Sequence, residues 1–269
     1  MTSARNTSLV IGFLIVAMLV LCAIAGPFAF NADPLAIDLG RSLASPSLSH
    51  PLGCDSLGRD ILARVLWGAR LSLSVSTAVV AFSLVVGSVI GGAAALAGGR
   101  VDNLVMRIVD IVLAFPGILL AIALAAILGP GLIDLVIALT AMGWTGYARL
   151  VRGEVLSMRE REYVRAAETL GAPPSRILFR HLLPGIAGPV AVQATFGVGG
   201  IIGAEAALSF LGLGVLPPTP SWGNMLDAGR AFLLVAPHLT TAPGLAIAFS
   251  ILGFNLLGDG LAQLAGTRS

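Results

Sequence analysis

Residues Arg161–Pro184 read REYVRAAETLGAPPSRILFRHLLP, a charged segment set inside a chain that is otherwise almost wholly apolar. Just before it, Ser157 and Glu160 have the spacing of a capping box, which predicts a helix beginning near Met158. Tyr163, Ala166, Ala167 and Leu170 then recur at i, i+3, i+4 and i+7, one face of a helix, while Arg161, Arg165 and Glu168 occupy the other faces. Gly171 stands where a helix ends on a left-handed residue, and Pro173–Pro174 prevents continuation. A second short helix is expected from about Ser175 to Pro184, presenting Ile177, Leu178 and His181. Two short helices joined at a glycine make a knob, and the small Ala166 and Ala167 let it seat in a partner's groove.

The surrounding composition places that knob beside a membrane. Hydrophobic residues make up 57% of the chain, charged residues 11%, and mean hydropathy is +0.95, against about 25% charged residues in a soluble domain. Apolar runs long enough to cross a bilayer with about 20 residues predict six helices near 8–30, 71–98, 106–128, 132–150, 187–209 and 239–259. The segments of about ten alternating residues that mark a membrane β-barrel do not occur. The expected fold class is therefore all-α and polytopic, with about six transmembrane helices.

Every basic residue is arginine; lysine is absent. The arginines from Arg100 to Arg180, with Arg5 and Arg268, fall on one side of the six-span arrangement. Arg41, Arg59, Arg64, Arg70 and Arg230 fall on the other, accompanied by Asp33, Asp38, Asp55, Asp60 and Asp227. The positive-inside rule predicts that both termini are cytosolic. The net charge of +2 is explained by topology and implies no nucleic-acid partner.

Three regions are expected: an N-terminal anchor helix at 1–30, an exterior loop and interfacial helix at 31–70, and the membrane core at 71–269 with the charged cassette at about 157–185. Arg5, the apolar run and Ala23-Ile24-Ala25 also read as a cleavable signal peptide, but the run continues to Phe30, longer than such a region usually is. Cys22 and Cys54 lie in different environments and are read as structural, without a disulfide. His50, Asp55 and Asp60 are read as a turn and helix cap; no second His or Cys stands at ligand spacing, and no metal site is expected.

With these residues quoted, the chain resembles the transmembrane subunits of bacterial ABC importers. Their cytoplasmic signature is EAA, three residues, Gly, nine residues, Ile-x-Leu-Pro. Ala166, Ala167, Gly171, Leu183 and Pro184 match at that spacing, with Arg165 for the Glu and His181 for the Ile. Those departures, with HPLGCDSLGRDILARVLWGARLSL from His50, GGRVDNLVMRIVDIVLAFPGILLAIAL from Gly98, LSFLGLGVLPPTPSWGNML from Leu208 and FNLLGDGL from Phe254, resemble the C-type subunit of the dipeptide, oligopeptide and nickel branch. The resemblance implies a type I importer permease fold, a heterodimer with a sister permease, two cytosolic ABC ATPase subunits and an external solute-binding protein. It also implies that Tyr163, Ala166, Ala167, Leu170, Gly171, His181 and Pro184 couple to the ATPases. No cofactor is expected in this chain; ATP and Mg would be bound by the partner ATPases, since a chain without lysine cannot supply a phosphate-loop lysine.

Polar groups inside the apolar runs are the remaining candidates, because a charge there is costly. Glu205 is expected to line the translocation path, to pair across a subunit interface, or to be a capped acid near the exterior boundary. Arg107 and Asp110 are expected to pair along one helix face, and Asn255 and Asp259 to hydrogen-bond between helices. Gly87, Gly91 and Gly92, then Gly197, Gly199, Gly200 and Gly203, form small faces for close helix approach. The chain carries no HExxH, GxSxG or CxxC and no catalytic residue is assigned. A secondary transporter or channel is the rival reading, opposed by the lack of a detectable inverted repeat.

Overall fold

The computed structural model describes residues 2–30 and 33–266. Among them the chain is nearly all helix; the β pairing is a single bridge between Cys54 and Asp60. The long helices are α1 (Thr2–Ala29), α2 (Ile61–Ala97), α3 (Gly99–Ala114), α4 (Gly117–Leu128) and α5 (Leu132–Arg159). After the short α6 (Glu162–Thr169) and α7 (Pro174–Ile177) come α8 (Leu183–Phe210), α9 (Trp222–Arg230) and α10 (His238–Ala265). By length and composition α1, α2, α10 and the α7–α8 rod can each cross a membrane, and the bent pair α3–α4 makes a fifth span. The sixth expected crossing, α5, has 28 residues, enough for about 42 Å of helix, but Asp134, Arg149 and Arg152 make it too polar to qualify on composition.

Helix α2 is the axis of the bundle, packed by α1, α5, α8, α9 and α10. Asp60 caps it, its carboxylate accepting from the Ala63 amide at 2.8 Å. No proline interrupts the following 37 residues, so the helix is about 55 Å long, well beyond the hydrocarbon thickness of about 30 Å. The separate interfacial helix expected before residue 71 is therefore the first turns of α2 itself. Beside α5 its backbone comes into direct contact: a Cβ on Gly87 would meet the Trp144 carbonyl at 2.5 Å, and one on Gly91 the Ala148 carbonyl at 2.2 Å. Not all of the expected glycine faces are used, for Gly200 opens on empty space.

The expected helix over 106–128 is broken. Phe115–Pro116 separates α3 from α4 with an 88° bend. Pro116 lacks an amide proton and forces Phe115 out of helical geometry, to ψ 140°. Helix α3 is held to α5 by ion pairs, Asp102 with Arg152 at 2.5 and 2.6 Å and Asp110 with Arg149 at 2.5 Å. Asp110 thus pairs between helices rather than with Arg107 on its own. Asn255 and Asp259 also depart from expectation, both lying exposed on α10 instead of bonding inside the bundle.

The segment leading into α2 packs Leu43 and Leu52 on the core and is also tied by polar groups. His50 Nδ1 and Asp60 are 2.7 Å apart, Arg59 donates to Asp55 at 2.7 Å, and Arg64 reaches back to the Pro34 carbonyl at 3.1 Å. Asp60 is the helix cap the sequence indicates. Cys22 and Cys54 are both free; burial, then the neighbouring Asp60, pushes the Cys54 thiol up from its ordinary pKa.

Candidate functional site

The cassette forms an outlying knob, but its boundaries differ from those predicted. The helix expected to begin at Met158 is instead the end of α5, which runs to Arg159, and α6 starts at Glu162. Ser157 and Glu160 form no capping box there, because Ser157 lies within α5 and Glu160 is the residue that ends it. Helix α6 ends as its sequence predicts: the Ala172 amide donates to the Ala167 carbonyl at 3.1 Å across Gly171, whose φ is +78°. That is a Schellman closure, and the left-handed residue it needs is nearly free of strain only as glycine.

Nor does the second short helix stop at Pro184. Helix α7 runs through a π-helical turn, Leu178–Leu182, directly into α8, making one rod from Ser175 to Phe210. The wide turn sends the Leu183 amide to the Leu178 carbonyl. Pro184 then takes its place in the first turn of α8, where a missing amide proton costs least. The knob is therefore one short helix, α6, lashed to the end of a long one.

What lashes it is Val164, a residue the sequence reading passed over. It is fully buried, with Ala95, Val151, Val155, Met158, Ile177, Leu182 and Ile186, in a cluster under the knob. Ile177 belongs to this cluster and is not presented to a partner. The Tyr163, Ala166, Ala167 and Leu170 stripe points the other way. Leu170 is 87% exposed and Tyr163 47%, with Ala166 exposed and Ala167 half-buried. The rings of Tyr163 and His181 lie 6.3 Å apart, tilted by 53°. Phe179, also missed, is 70% exposed on the π turn. Arg165, which stands in the signature's Glu position, pairs with Glu160. The knob therefore exposes Leu170, Phe179 and Tyr163, on segments that also carry the exposed Arg161, Arg165, Arg176 and Arg180.

At the opposite end, Glu205 of α8 has no accessible surface. Ser72 of α2 donates to one carboxylate oxygen at 2.8 Å and Ser209 of α8 to the other at 2.9 Å. Ser221, the cap of α9, is fully buried as well. Trp222 beside it is fully buried, and its indole donates to the Val65 carbonyl at 3.0 Å. In this structure Glu205 is an enclosed strut that ties α8 to α2 through Ser72.

The surroundings of these two sites are shared with known transporters. Residues 83–268 match the family described as binding-protein-dependent transport system inner membrane component. The chain is similar to the dipeptide transport system permease protein DppC of Alkalihalophilus pseudofirmus, 43% identical over 257 residues, 96% of this chain and 84% of that protein. It is 45% identical over 224 residues to the glutathione transport system permease protein GsiD of Pectobacterium atrosepticum, covering 83% of this chain and 74% of the relative. Its fold resembles a chain of the MetNI methionine ABC transporter in an inward facing conformation, with a TM-score of 0.62 over 76% of this chain and 96% of that one at 18% identity. A bundle of membrane-crossing helices with an outlying knob, matched over most of its length, makes this chain a member of the binding-protein-dependent inner membrane component family, a permease subunit of an ABC importer.

Proposed function

We propose that this permease forms half of a translocation path for short peptides and that the α6 knob is where ATPase closure is transmitted to the helices. The observation carrying this is the knob itself: an apolar surface of Leu170, Phe179 and Tyr163 beside small Ala166 and Ala167, anchored through Val164 and continuous with the α8 rod. A push on that surface is delivered along a helix that crosses the membrane. Short peptides are favoured because the dipeptide and glutathione permeases named above are its relatives.

The partners follow from the same reading: a sister permease, two cytosolic ATPases that bind ATP and Mg, and an external solute-binding protein. Arginine asymmetry puts the knob and both termini in the cytosol and the Asp55–Arg59 loop and α9 outside. Asn255 and Asp259, exposed on an apolar helix, are the polar groups placed to face the path or the sister subunit.

Reconstituted complex in vesicles should accumulate a dipeptide only with ATP and the binding protein. Uptake that persists without ATP would overturn the reading. Single cysteines labelled with an impermeant reagent should react from outside at positions 47 and 227 and from inside at 175; outside reaction at 175 would overturn the orientation alone.

A further inference from the structure

Between α1 and α2 runs an open groove of about 560 Å³ that belongs to neither site above. Val20, Ile24 and Phe28 line it from α1, Thr77 and Ala81 from α2, and Arg70 stands at one end. Arg70 to Ala81 spans eleven residues of helix, about 16 Å, which is close to half of a hydrocarbon core about 30 Å thick. The groove thus has one leaflet's depth. Arg70 lies where the apolar run of α2 begins, the level of the headgroups. Its guanidinium sits 5.8 Å from the Trp67 ring centroid, an aromatic of the kind enriched at that interface. It is exposed and has no ion pair among the described residues. The Ser74 hydroxyl in the groove wall is occupied, donating to the Arg70 carbonyl at 2.7 Å.

We propose that the groove holds an acyl chain of an anionic phospholipid whose headgroup phosphate rests on Arg70. An apolar channel of one leaflet's depth fits a single chain, and a lone guanidinium at its mouth fits an anion. A phosphate accepts the guanidinium's parallel N–H bonds in geometry that suits them. A net anionic headgroup matches the unpaired charge, whereas a zwitterionic one brings an ammonium of its own. An apolar helix of another subunit laid in the same groove would cover the guanidinium and leave it without a counter-charge, a costly arrangement at this depth. With the orientation proposed above this is the outer leaflet, and only that assignment rests on it.

The test uses the whole transporter in nanodiscs of mixed phosphatidylglycerol and phosphatidylcholine, with retained lipid counted by native mass spectrometry after transfer to detergent. Wild type should retain phosphatidylglycerol in preference. Arg70→Gln should lower that retention about fivefold, the size of one arginine's attraction to an anionic leaflet. Arg70→Lys should keep most of it, and Ala78→Phe, which fills the channel while leaving Arg70 in place, should lose it. Phosphatidylglycerol carrying a diazirine on its acyl chain should label the segments containing Ile24 and Thr77. Equal retention in wild type and Arg70→Gln, or labelling confined to other helices, overturns the proposal. Retention is read without transport, so a complex that keeps the lipid but moves no peptide would fail the functional reading alone.

Discussion

The two ends of the bundle handle polarity in opposite ways. Around Glu205 an acidic side chain is wholly enclosed, and Ser72 and Ser209 satisfy its oxygens near a fully buried Trp222. At the knob large apolar side chains stand out from the surface, with Leu170 87% and Phe179 70% exposed, over a cluster that includes Val164, Ile177 and Leu182. One end is completed by the chain's own residues; the other is the surface proposed above to dock a partner. Stability and transport should therefore separate, with changes at the Glu205 strut read in the folded chain and changes at the knob read in the assembled transporter.

The widest separation is expected at the knob. Ala167→Asp introduces a charge into the surface proposed above to dock the ATPase, and burying it there unpaired would be costly. Gly171→Val forces a β-branched residue to a φ of +78°, a strain of about 1–2 kcal/mol, although nothing in the chain crowds the site. Uptake should be abolished in both, with ATPase subunits lost or hydrolysing without transport. The isolated Ala167→Asp permease should stay within about 0.5 kcal/mol of wild type in stability, as surface substitutions do. Uptake and ATP hydrolysis measured in the same vesicles check this; wild-type values for both would reduce the cassette to a loop.

Glu205→Ala should show the reverse pattern. Removing the acceptor leaves the buried Ser72 and Ser209 hydroxyls with no carboxylate to donate to, a loss of about 1–3 kcal/mol, seen as a lower unfolding midpoint of the permease in detergent. Glu205→Gln retains an acceptor oxygen and should lose less. An unchanged midpoint in Glu205→Ala would mean that this end is not completed as the geometry implies.

Val164→Ala joins the two patterns, since it loosens the knob from within. Two buried methyl groups are removed, about 1.5 kcal/mol, so proteolysis near Gly171 should accelerate and uptake should fall while the membrane bundle stays intact. Protection equal to wild type would show that α6 has another anchor. The smallest effect is expected for Asp102→Asn, where the Arg152 partner is 30% exposed. Its unfolding midpoint should correspond to a loss of no more than about 1 kcal/mol; a larger fall would make the α3–α5 pair part of the core.

Several of these features were legible beforehand because their causes are local. Gly171 with Pro173–Pro174 predicts the end of α6, and Asp60 predicts the start of α2, since each acts on backbone groups a few residues away. Pro116 carried an equally local signal, which the length of the apolar run around it concealed. Val164 was missed for a different reason. The conspicuous stripe of Tyr163, Ala166, Ala167 and Leu170 looks like a core face, and only the packing of α5 and the α7–α8 rod beneath shows that the neighbouring face is anchored.

By itself the sequence determined that this chain lives in a membrane as helices. Apolar length and the need to satisfy every backbone amide within its own segment leave no other arrangement for such a composition. Tertiary structure alone decided which faces meet: that Gly87 and Gly91 bring α2 against α5, that Asp110 chooses Arg149, and that Glu205 is enclosed beside Ser72. The reason is physical. In lipid both the interior and the surroundings of a helix are apolar, so the contrast that tells a soluble helix which side faces in is missing, and packing shape and scattered polar pairs set the rotation instead.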